Sequence, residues 1–384
     1  MENLISKQVR KIEISGIRKF YNEVVKVPGA ISLTLGEPDF QVPKIVKEYM
    51  IKAMEDDKTR YTANAGIFEL REQISLYLRS LGIKYSEDEI CVTVGGSEGL
   101  NSVFLSLIDK GDKILIPNPA YPAYESCVKI AGGEVVNYSL KNDFTIDIKS
   151  LEKEIKLHDP KVLVLSFPTN PTGSVLTKED LQELHKIIKE HNIIVVSDEI
   201  YASLIYEEEY YSVAQLEDIK EKIILIGGFS KMFSMTGLRV GYVCACPQLM
   251  KHIMKVHQYS VSCATSISQW GAYAGLKYCM NEVYAMRDEF KKRRDYVYER
   301  LLNMGLELVK PKGAFYAFPS IKKFSNDSFK FCTELLQKEK VAIIPGTAFG
   351  SLGEGFVRIS YSYSMEELRL ALDKMEKYLQ TLNK

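Results

Sequence analysis

The sequence predicts an α/β protein in which a large domain, built on a mostly parallel seven-stranded sheet, is joined to a smaller discontinuous α+β domain. Three observations predict this fold. From about residue 90, short apolar and β-branched runs alternate with amphipathic helical patterns, which is typical of a parallel sheet covered by helices. In the last third of the chain, long helical patterns dominate instead. No repeat, low-complexity tract or long linker separates the two parts, so we expect domains packed against each other.

Seven strand-like runs form the predicted sheet of the large domain. They cover residues 90–94, 113–116, 134–139, 162–166, 193–197, 223–226 and 240–245. Helical patterns lie between most of these runs. In residues 178–190, for example, one face carries Leu181, Leu184, Ile187 and Ile188. Because parallel strands need crossover connections of this kind, the alternation favours a largely parallel sheet.

The smaller domain is predicted from both ends of the chain. Residues 282–304 indicate one long helix and residues 365–379 a closing amphipathic helix, and three strand-like runs lie between them, at 314–318, 341–344 and 357–360. A helix-like stretch at 12–27 could pack on the same unit. We therefore expect a large domain over residues 41–284. The small domain would comprise residues 1–40, which include an N-terminal arm, and residues 285–384.

Composition narrows the class of protein. Of the 384 residues 46% are hydrophobic, which is enough for a large buried core. Fifty basic and fifty acidic side chains cancel, and this balance argues against a general attraction to nucleic acid or to an anionic membrane. Apolar runs fall well short of the roughly 20 residues of a membrane helix, and residues 1–10 lack the pattern of a secretory signal. We therefore expect a cytoplasmic protein.

The cysteines and histidines do not indicate a disulfide framework or a metal site. Seven cysteines are scattered without a CxxC pair, and five histidines show no metal-ligand spacing. We interpret the cysteines as reduced packing residues and expect no metal held by the protein.

The segment after the first predicted strand is rich in glycine and offers two interpretations. It reads Gly95-Gly96-Ser97-Glu98-Gly99 and is followed by an apolar helical pattern over 100–108. Backbone N–H groups at such a helix start bind phosphate well. Alternatively, the segment is a turn in which Ser97 is the helix N-cap. It matches neither common nucleotide-binding glycine motif, which weakens a dinucleotide or nucleoside-triphosphate hypothesis.

Polar residues also follow the fourth and fifth predicted strands. The turn Pro168-Thr169-Asn170-Pro171-Thr172-Gly173 would present the Asn170 amide in a fixed direction. Asp198 and Glu199 end the next strand, where successive side chains alternate faces, so we expect only one of them to face a site. A carboxylate buried there needs a strong partner, such as a protonated ring nitrogen.

Two basic residues follow the sixth strand. Lys231, in Gly227-Gly228-Phe229-Ser230-Lys231, would lie at the mouth of an apolar sheet. A lysine in that place is costly unless it is neutral, paired or used covalently, although most lysines are solvated surface charges. Arg239 stands between two glycines before the next strand and could hold a phosphate with two parallel hydrogen bonds.

Taken in order, these motifs resemble those of the class I aminotransferases, which depend on pyridoxal phosphate and have the aspartate aminotransferase fold type, fold type I. Within that family the sequence is most similar to the bacterial aminotransferase A group, some of whose members are linked to N-acetyl-diaminopimelate. The resemblance runs nearly end to end. The matching pieces are Leu35-Gly36-Glu37-Pro38-Asp39-Phe40, Tyr61-Thr62 with Gly66 and Glu69-Leu70-Arg71, Pro119-Ala120-Tyr121-Pro122, Asn170-Pro171-Thr172-Gly173, Asp198-Glu199-Ile200-Tyr201, Ser230-Lys231 to Arg239, and Arg358-Ile359-Ser360.

The resemblance implies three catalytic residues: Lys231, Asp198 and Tyr121. Lys231 would form an aldimine with pyridoxal 5'-phosphate and move the proton between the substrate Cα and the cofactor. Asp198 would keep the pyridine nitrogen protonated, and Tyr121 would stack on the ring. Asn170 and Tyr201 would bind the phenolic oxygen.

The phosphate and the substrate have their own implied contacts. The phosphate would be bound by Ser97, the Glu98 backbone, Ser230, Arg239, and Tyr61 of a second subunit. The substrate's α-carboxylate would be bound by Gly36 and Arg358, near Asn170.

One position departs from the family pattern, because Gly228 stands where many relatives have a serine that contacts the phosphate. Simpler roles also stay open for single residues. Tyr121 could pack in the core, and Arg358 could pair with a neighbouring acid.

The resemblance therefore implies a homodimeric enzyme that moves an amino group from an L-amino acid to a 2-oxo acid, with the 2-oxoglutarate/glutamate pair as expected acceptor, by a ping-pong route. Two alternatives remain: a C–S β-lyase on the same scaffold, and a sensory module of the kind fused to DNA-binding segments, against which the zero net charge argues. Side-chain recognition is expected from residues 14–18. Arg18 could bind a distal carboxylate or be a simple surface charge.

Overall fold

The computed structural model describes residues 2–382, so residue 1 and residues 383–384 of the predicted small domain lie outside it. Within these residues the chain forms twelve α-helices and twelve strands. The helices are α1 (Gly16–Val24), α2 (Lys44–Glu55), α3 (Phe68–Ser80), α4 (Gly95–Leu107), α5 (Ala123–Ala131), α6 (Ile148–His158), α7 (Lys178–Glu190), α8 (Pro247–Val261), α9 (Ser266–Tyr278), α10 (Met280–Asn303), α11 (Ser328–Glu339) and α12 (Met365–Leu382). The strands are β1 (Ile31–Ser32), β2 (Ile90–Thr93), β3 (Lys113–Asn118), β4 (Glu134–Ser139), β5 (Val162–Ser166), β6 (Ile194–Asp198), β7 (Ile223–Gly228), β8 (Gly241–Cys244), β9 (Tyr316–Ala317), β10 (Val341–Ala342), β11 (Ile344–Pro345) and β12 (Val357–Ser360).

The central sheet has seven strands in the order β2-β8-β7-β6-β5-β3-β4. The pairs β3/β4, β3/β5, β5/β6 and β6/β7 are parallel, and β8 runs antiparallel to both of its neighbours. The predicted α/β fold with a mostly parallel seven-stranded sheet is therefore confirmed. In the register of β5 to β7, Ser166 lies beside Asp198 and Asp198 beside Ile226. The residues that follow these three strands consequently meet at one edge of the sheet.

The strands of this sheet read as continuous apolar runs because both faces are buried. Successive side chains enter opposite layers, as the period of two requires. Leu163 and Val195 belong to the core on one face, whereas Val164 and Val196 belong to the core on the other. The helices pack against these two layers, for example α7 through the buried Leu184 and Ile188.

A second core is built from the two ends of the chain. Strands β11, β12 and β9 form an antiparallel sheet, and β1 of the N-terminal segment pairs in parallel with β10. Phe20 and Leu33 lie in one hydrophobic cluster with residues of α10, α11 and α12. The N-terminal stretch therefore packs on the unit formed by the last third of the chain. The boundaries at residues 40/41 and 284/285 stay a prediction.

Some element bounds differ from the predicted ones. Helix α4 begins at Gly95, five residues before the predicted helix, because the glycine-rich segment itself forms the first turn. Its N-cap is Val94, without a side-chain cap, so the interpretation of Ser97 as N-cap is wrong. Helix α1 is shorter than the predicted 12–27. Across residues 2–382 we find no helix with both the length and the apolar character needed to span a bilayer.

Phe290 of α10 offers a test of the second core. Its fully buried ring packs against Phe40 and Phe315, at centroid distances of 5.3 and 5.2 Å. Replacing it with alanine should lower the free energy of unfolding by about 3–5 kcal/mol, because the cavity left behind cannot close. Leu302→Ala on the same helix, where the side chain is 43% exposed, should change it by only about 0.5 kcal/mol. Urea unfolding measures both, and equal effects would contradict this packing.

Candidate active site

A cavity of about 450 Å³ lies at the edge of the sheet where β5, β6 and β7 end. Ten of the twelve residues predicted for the site line it: Gly36, Ser97, Tyr121, Asn170, Asp198, Tyr201, Ser230, Lys231, Arg239 and Arg358. They come from segments more than 300 residues apart in the chain. The fold thus brings them together, while their individual roles stay predictions.

One wall of the cavity is suited to bind an anion. The first turn of α4 carries Ser97 and directs unpaired backbone N–H groups toward the cavity end of that helix. Ser230 and Arg239 line the same cavity. Arg239 has a left-handed backbone, with φ of 53°, and its Nη1 donates a hydrogen bond to the carbonyl oxygen of Thr236 at 2.8 Å. This bond fixes the guanidinium and leaves its charge without a carboxylate partner among residues 2–382.

Lys231 follows β7 and is largely removed from water. Its Nζ donates a hydrogen bond to the carbonyl oxygen of Gly36 at 2.5 Å. Burial lowers the pKa of Lys231 to about 8. The negative charge of Glu37 opposes this shift, and the positive charges of Arg239 and Arg358 add to it. A larger fraction of the amine is therefore neutral near physiological pH than in an ordinary lysine, which favours a role as nucleophile or proton acceptor.

Asp198 is the acid that faces the cavity. It is buried, and its Oδ2 accepts a hydrogen bond from the Tyr124 hydroxyl at 2.8 Å while Oδ1 accepts one from the Ile200 N–H at 3.2 Å. Burial raises the pKa of Asp198, and these hydrogen bonds offset part of the effect. No basic side chain of residues 2–382 forms an ion pair with it, so it can accept a cationic partner.

Glu199 points to the opposite face of the sheet, as the alternation of side chains predicts. Its carboxylate accepts hydrogen bonds from the hydroxyls of Ser197 at 2.8 Å, Ser212 at 2.5 Å, and Tyr210. Burial raises the pKa of Glu199 to about 7. This acid belongs to the structural core and not to the cavity.

Arg358 of β12 is buried without an acid. Its Nη1 donates to Asn170 Oδ1 at 2.9 Å, and Nη2 donates to the carbonyl oxygen of Thr34. The guanidinium lies between the rings of Tyr316 and Phe349, at 4.5 and 4.9 Å. Its Nε has no partner. Burial lowers the pKa of Arg358, and the interpretation that it pairs with a neighbouring acid is wrong for the part of the chain that the structure describes.

Sequence reasoning missed Tyr316, which also lines the cavity. Its hydroxyl lies 2.7 Å from the Tyr201 hydroxyl. A Cβ on Gly36 would overlap the Tyr316 hydroxyl, so the glycine is required by close approach. The pattern of residues 314–318 indicated only a buried strand, and nothing in it identified the cavity. Residues 14–18 were expected here, and Ser15, Ile17 and Arg18 of this segment do line the cavity, together with Tyr21, which was not predicted.

Two predicted residues lie outside the cavity. The Glu98 side chain turns away from it and accepts hydrogen bonds from the Val94 N–H at 3.1 Å and the Ser102 hydroxyl at 2.5 Å. Its predicted contact was through the backbone, which lies in the first turn of α4. Tyr61 is 87% exposed on the surface, and its predicted role in a second subunit stays a prediction. Tyr121 is partly buried on the cavity wall and packs edge-on against Tyr124 at 5.7 Å.

Gly228, the departure from the family pattern, has a steric reason in this structure. A Cβ added there would lie 2.8 Å from Cδ1 of Ile200 and 3.1 Å from Cα of Gly241. A serine would therefore force Ile200 to move. Ile200 itself lines the cavity, so an apolar methyl group occupies the space beside Gly228.

Comparison with known proteins assigns the chain to a family. Residues 28–375 match the family model described as aminotransferase class I and II. The chain belongs to this aminotransferase family. The predicted resemblance is thereby confirmed, and the chain is an enzyme that transfers amino groups.

Several aminotransferases of other organisms are similar to this chain over almost its whole length. A probable N-acetyl-LL-diaminopimelate aminotransferase of Bacillus subtilis is 42% identical, with 99% of this chain and 96% of the relative covered. An aspartate aminotransferase of Pyrococcus abyssi is 39% identical, with 98% of each chain covered. The crystal structure of an aromatic aminotransferase from Pyrococcus horikoshii superposes with a TM-score of 0.89 at 39% identity, covering 94% of this chain and 99% of that one.

The lowered pKa of Lys231 can be tested directly in the aminotransferase freed of bound ligands. An amine-directed reagent such as trinitrobenzenesulfonate reacts only with neutral amines. Reaction of Lys231 should therefore rise with pH through a midpoint near 8, whereas an ordinary lysine has its midpoint near ~10.4. Peptide mass mapping follows the residue, and the Lys231→Ala chain is the control in which this early reaction disappears. A midpoint close to the ordinary one would contradict the burial of the amine.

Proposed function

We propose that this aminotransferase uses pyridoxal 5'-phosphate, bound in the cavity at Lys231, to move an amino group from an L-amino acid to a 2-oxo acid. We further propose 2-oxoglutarate and glutamate as the acceptor pair and a ping-pong order of the two half-reactions. The observation that carries the proposal is that the amine of Lys231, with its lowered pKa, and the carboxylate of Asp198, which pairs with no cation of residues 2–382, share one cavity with an anion-binding helix start. When bound, the cofactor supplies an electron-accepting ring that makes the substrate Cα–H bond acidic.

The residues present fit this cofactor. The first turn of α4, Ser230 and Arg239 form a donor set suited to a phosphate dianion. Asp198 is a buried carboxylate held only by neutral donors, which suits a protonated ring nitrogen. Four cationic side chains and one carboxylate line the cavity, so it favours a ligand with more than one negative charge: Arg18, Lys231, Arg239, Arg358 and Asp198.

Lys231 is placed to hold and to move a proton. Because its pKa is lowered to about 8, the amine accepts and returns a proton at little cost near neutral pH. The Gly36 carbonyl oxygen accepts its hydrogen bond and so fixes the direction of Nζ. Removal of water from the amine maintains this balance, since a hydrated lysine would stay protonated.

Arg358 is placed to bind the α-carboxylate of a substrate. Asn170 and the Thr34 carbonyl oxygen fix its two terminal nitrogens, and Nε is left without a partner. A carboxylate would supply the negative charge that this buried guanidinium lacks. Because the Asn170 oxygen is engaged by Arg358, its amide nitrogen remains free to donate into the cavity.

We also propose that the enzyme is a cytoplasmic homodimer with shared active sites. Tyr61 is 87% exposed, and Phe68 and Tyr259 are 56% and 89% exposed. Large aromatic side chains exposed in this way support a protein interface. The predicted contact of Tyr61 with the phosphate of a neighbouring subunit gives this interface a catalytic purpose.

The amino donor is proposed to carry a distal acidic or acylated group, as diaminopimelate-like donors do. Arg18 of α1 lines the cavity, 340 positions before the proposed carboxylate-binding Arg358. It has no ion-pair partner among residues 2–382. Its charge is therefore available to a carboxylate at the far end of a substrate.

Replacement of Lys231 and Asp198 tests the proposed chemistry. Lys231→Ala should abolish the visible absorption band of the lysine-bound cofactor and nearly all transamination, because no other lysine of residues 2–382 lines the cavity. Asp198→Ala should bind the cofactor weakly and react at least about 100-fold more slowly, because the ring nitrogen loses its anion. Spectra and steady-state rates measure both. Normal turnover in either variant would overturn the proposal.

The same assay separates transfer from elimination. Transamination requires a 2-oxo acid acceptor, whereas a β-lyase releases pyruvate and ammonia from cystathionine without one. We expect no such release from wild-type protein. Its appearance at the rate of transamination would favour the lyase alternative.

A panel of amino donors against 2-oxoglutarate tests the role of Arg18. Arg18→Ala should raise KM about tenfold for acidic donors, since a charge-assisted hydrogen bond is lost, and leave apolar donors unchanged. Lys19→Ala is the matched control, because Lys19 lies on the same helix and pairs with Glu13 instead of lining the cavity. An unchanged panel would contradict this assignment.

A further inference from the structure

His257, a residue that sequence reasoning used only to exclude a metal site, is completely buried on α8. Its Nδ1 lies 3.1 and 3.2 Å from the two carboxylate oxygens of Glu98, and its Nε2 lies 3.0 Å from the carbonyl oxygen of Asn64. The ring therefore bridges two segments that are 34 residues apart in the chain. One is the first turn of α4, and the other is the segment that follows Tyr61.

The hydrogen-bond partners of the His257 ring are the carboxylate of Glu98 and the carbonyl oxygen of Asn64. A carbonyl oxygen only accepts hydrogen bonds, so Nε2 carries a proton. Burial acts to raise the pKa of Glu98, but hydrogen bonds from His257 and Ser102 hold it below its ordinary value, so this carboxylate is ionised and also only accepts. Both ring nitrogens of His257 therefore lie within hydrogen-bond distance of an oxygen, and the carboxylate beside Nδ1 has little contact with water.

The segment beyond Tyr61 is held from several sides. Gln269, which is completely buried, donates to the Thr62 hydroxyl at 3.1 Å and accepts from the Ile67 N–H at 2.8 Å. The Asn64 side chain donates to the carbonyl oxygen of Ser262 at 2.6 Å. Tyr61 itself projects from this fixed segment into solvent. The arrangement presents one aromatic side chain on a rigid base, which reduces the ordering cost of contact with another subunit.

We propose that His257 is a positioning residue that couples the Tyr61 segment to the anion-binding first turn of α4. Within one subunit, the hydrogen bonds of its two ring nitrogens fix the distance between the helix start that binds the subunit's own phosphate and the tyrosine offered to the partner. This inference rests on the proposed function, because it takes the phosphate of pyridoxal 5'-phosphate as the bound anion. It assigns a purpose to a buried histidine–carboxylate pair that contacts neither substrate nor cofactor.

Two substitutions separate the two hydrogen bonds of His257. The amide nitrogen of His257→Asn takes the place of Nδ1 and retains the bond to Glu98. That of His257→Gln takes the place of Nε2 and retains the bond to Asn64. Hydrogen exchange of residues 62–66 in the protein without cofactor should rise in the asparagine variant and stay close to wild type in the glutamine variant. Equal exchange in both variants would overturn the coupling, and this readout does not depend on any ligand.

Binding of two probes isolates the phosphate contribution. The Kd for pyridoxal 5'-phosphate should rise about tenfold in His257→Asn, as expected for a lost charge-assisted hydrogen bond, while the Kd for pyridoxal, which lacks the phosphate, should not change. A general loss of structure would weaken both probes alike and would overturn the proposal. Tyr61→Phe should show the same selective loss. In the double variant the Kd for pyridoxal 5'-phosphate should rise no more than in either single variant, because His257 acts on the phosphate only through Tyr61.

The outcomes for this inference and for the proposed function are distinguishable. If wild-type protein fails to bind pyridoxal 5'-phosphate, or if Lys231→Ala binds it as wild type does, the proposed function fails. If wild type binds and Lys231→Ala does not, but the His257 variants keep the wild-type ratio of the two dissociation constants, only the coupling fails. Additive losses in the Tyr61→Phe/His257→Asn double variant would overturn the coupling as well.

Discussion

The site depends on one arrangement: three of its cations bind main-chain carbonyl oxygens, and none of these three pairs with a carboxylate of residues 2–382. Lys231 donates to Gly36, Arg239 to Thr236 and Arg358 to Thr34. A carbonyl dipole satisfies the hydrogen-bonding groups and fixes their direction, but it does not cancel the charge. The cations therefore remain available to bind anions. Burial lowers the pKa of the Lys231 amine to about 8, and the charges of Arg239 and Arg358 add to this shift against the opposing charge of Glu37.

The two adjacent acids at the end of β6, Asp198 in the cavity and Glu199 in the core, are likewise held by groups that do not cancel their charge. Asp198 and Glu199 are adjacent, buried, and held by hydroxyl or N–H donors, with no cation of residues 2–382 beside them. Hydroxyl donors are sufficient to bury a carboxylate at a raised pKa, but they leave its charge uncompensated. The two residues differ in the face of the sheet to which their side chains point. Asp198 opens into the cavity and can pair with a cationic ring, whereas Glu199 is enclosed by its own donors.

Sequence predicted those parts of the site that local order determines. The ends of β5, β6 and β7 lie side by side in any such parallel sheet, so Asn170, Asp198 and Lys231 could be expected at one edge before the structure was known. Tyr316 and His257 could not, because their contacts join residues more than 100 positions apart. A buried tyrosine or histidine in an apolar strand or helix has the pattern of ordinary packing. Only the position of its hydrogen-bond partner in the structure shows that such a residue does more than pack.

Close packing constrains the end of β7 at Gly228, where the sequence showed only a departure from the family pattern. A side chain at this position would require the Cδ1 methyl group of Ile200 to shift and would press against Cα of Gly241. The backbone N–H of Ile200, which follows Asp198 by two residues, donates a hydrogen bond to the Asp198 carboxylate. Gly228 and Asp198 therefore share one neighbour, since the side chain of Ile200 packs against the first and its backbone binds the second. The sequence shows these as two separate positions, and the packing shows that both depend on the same residue.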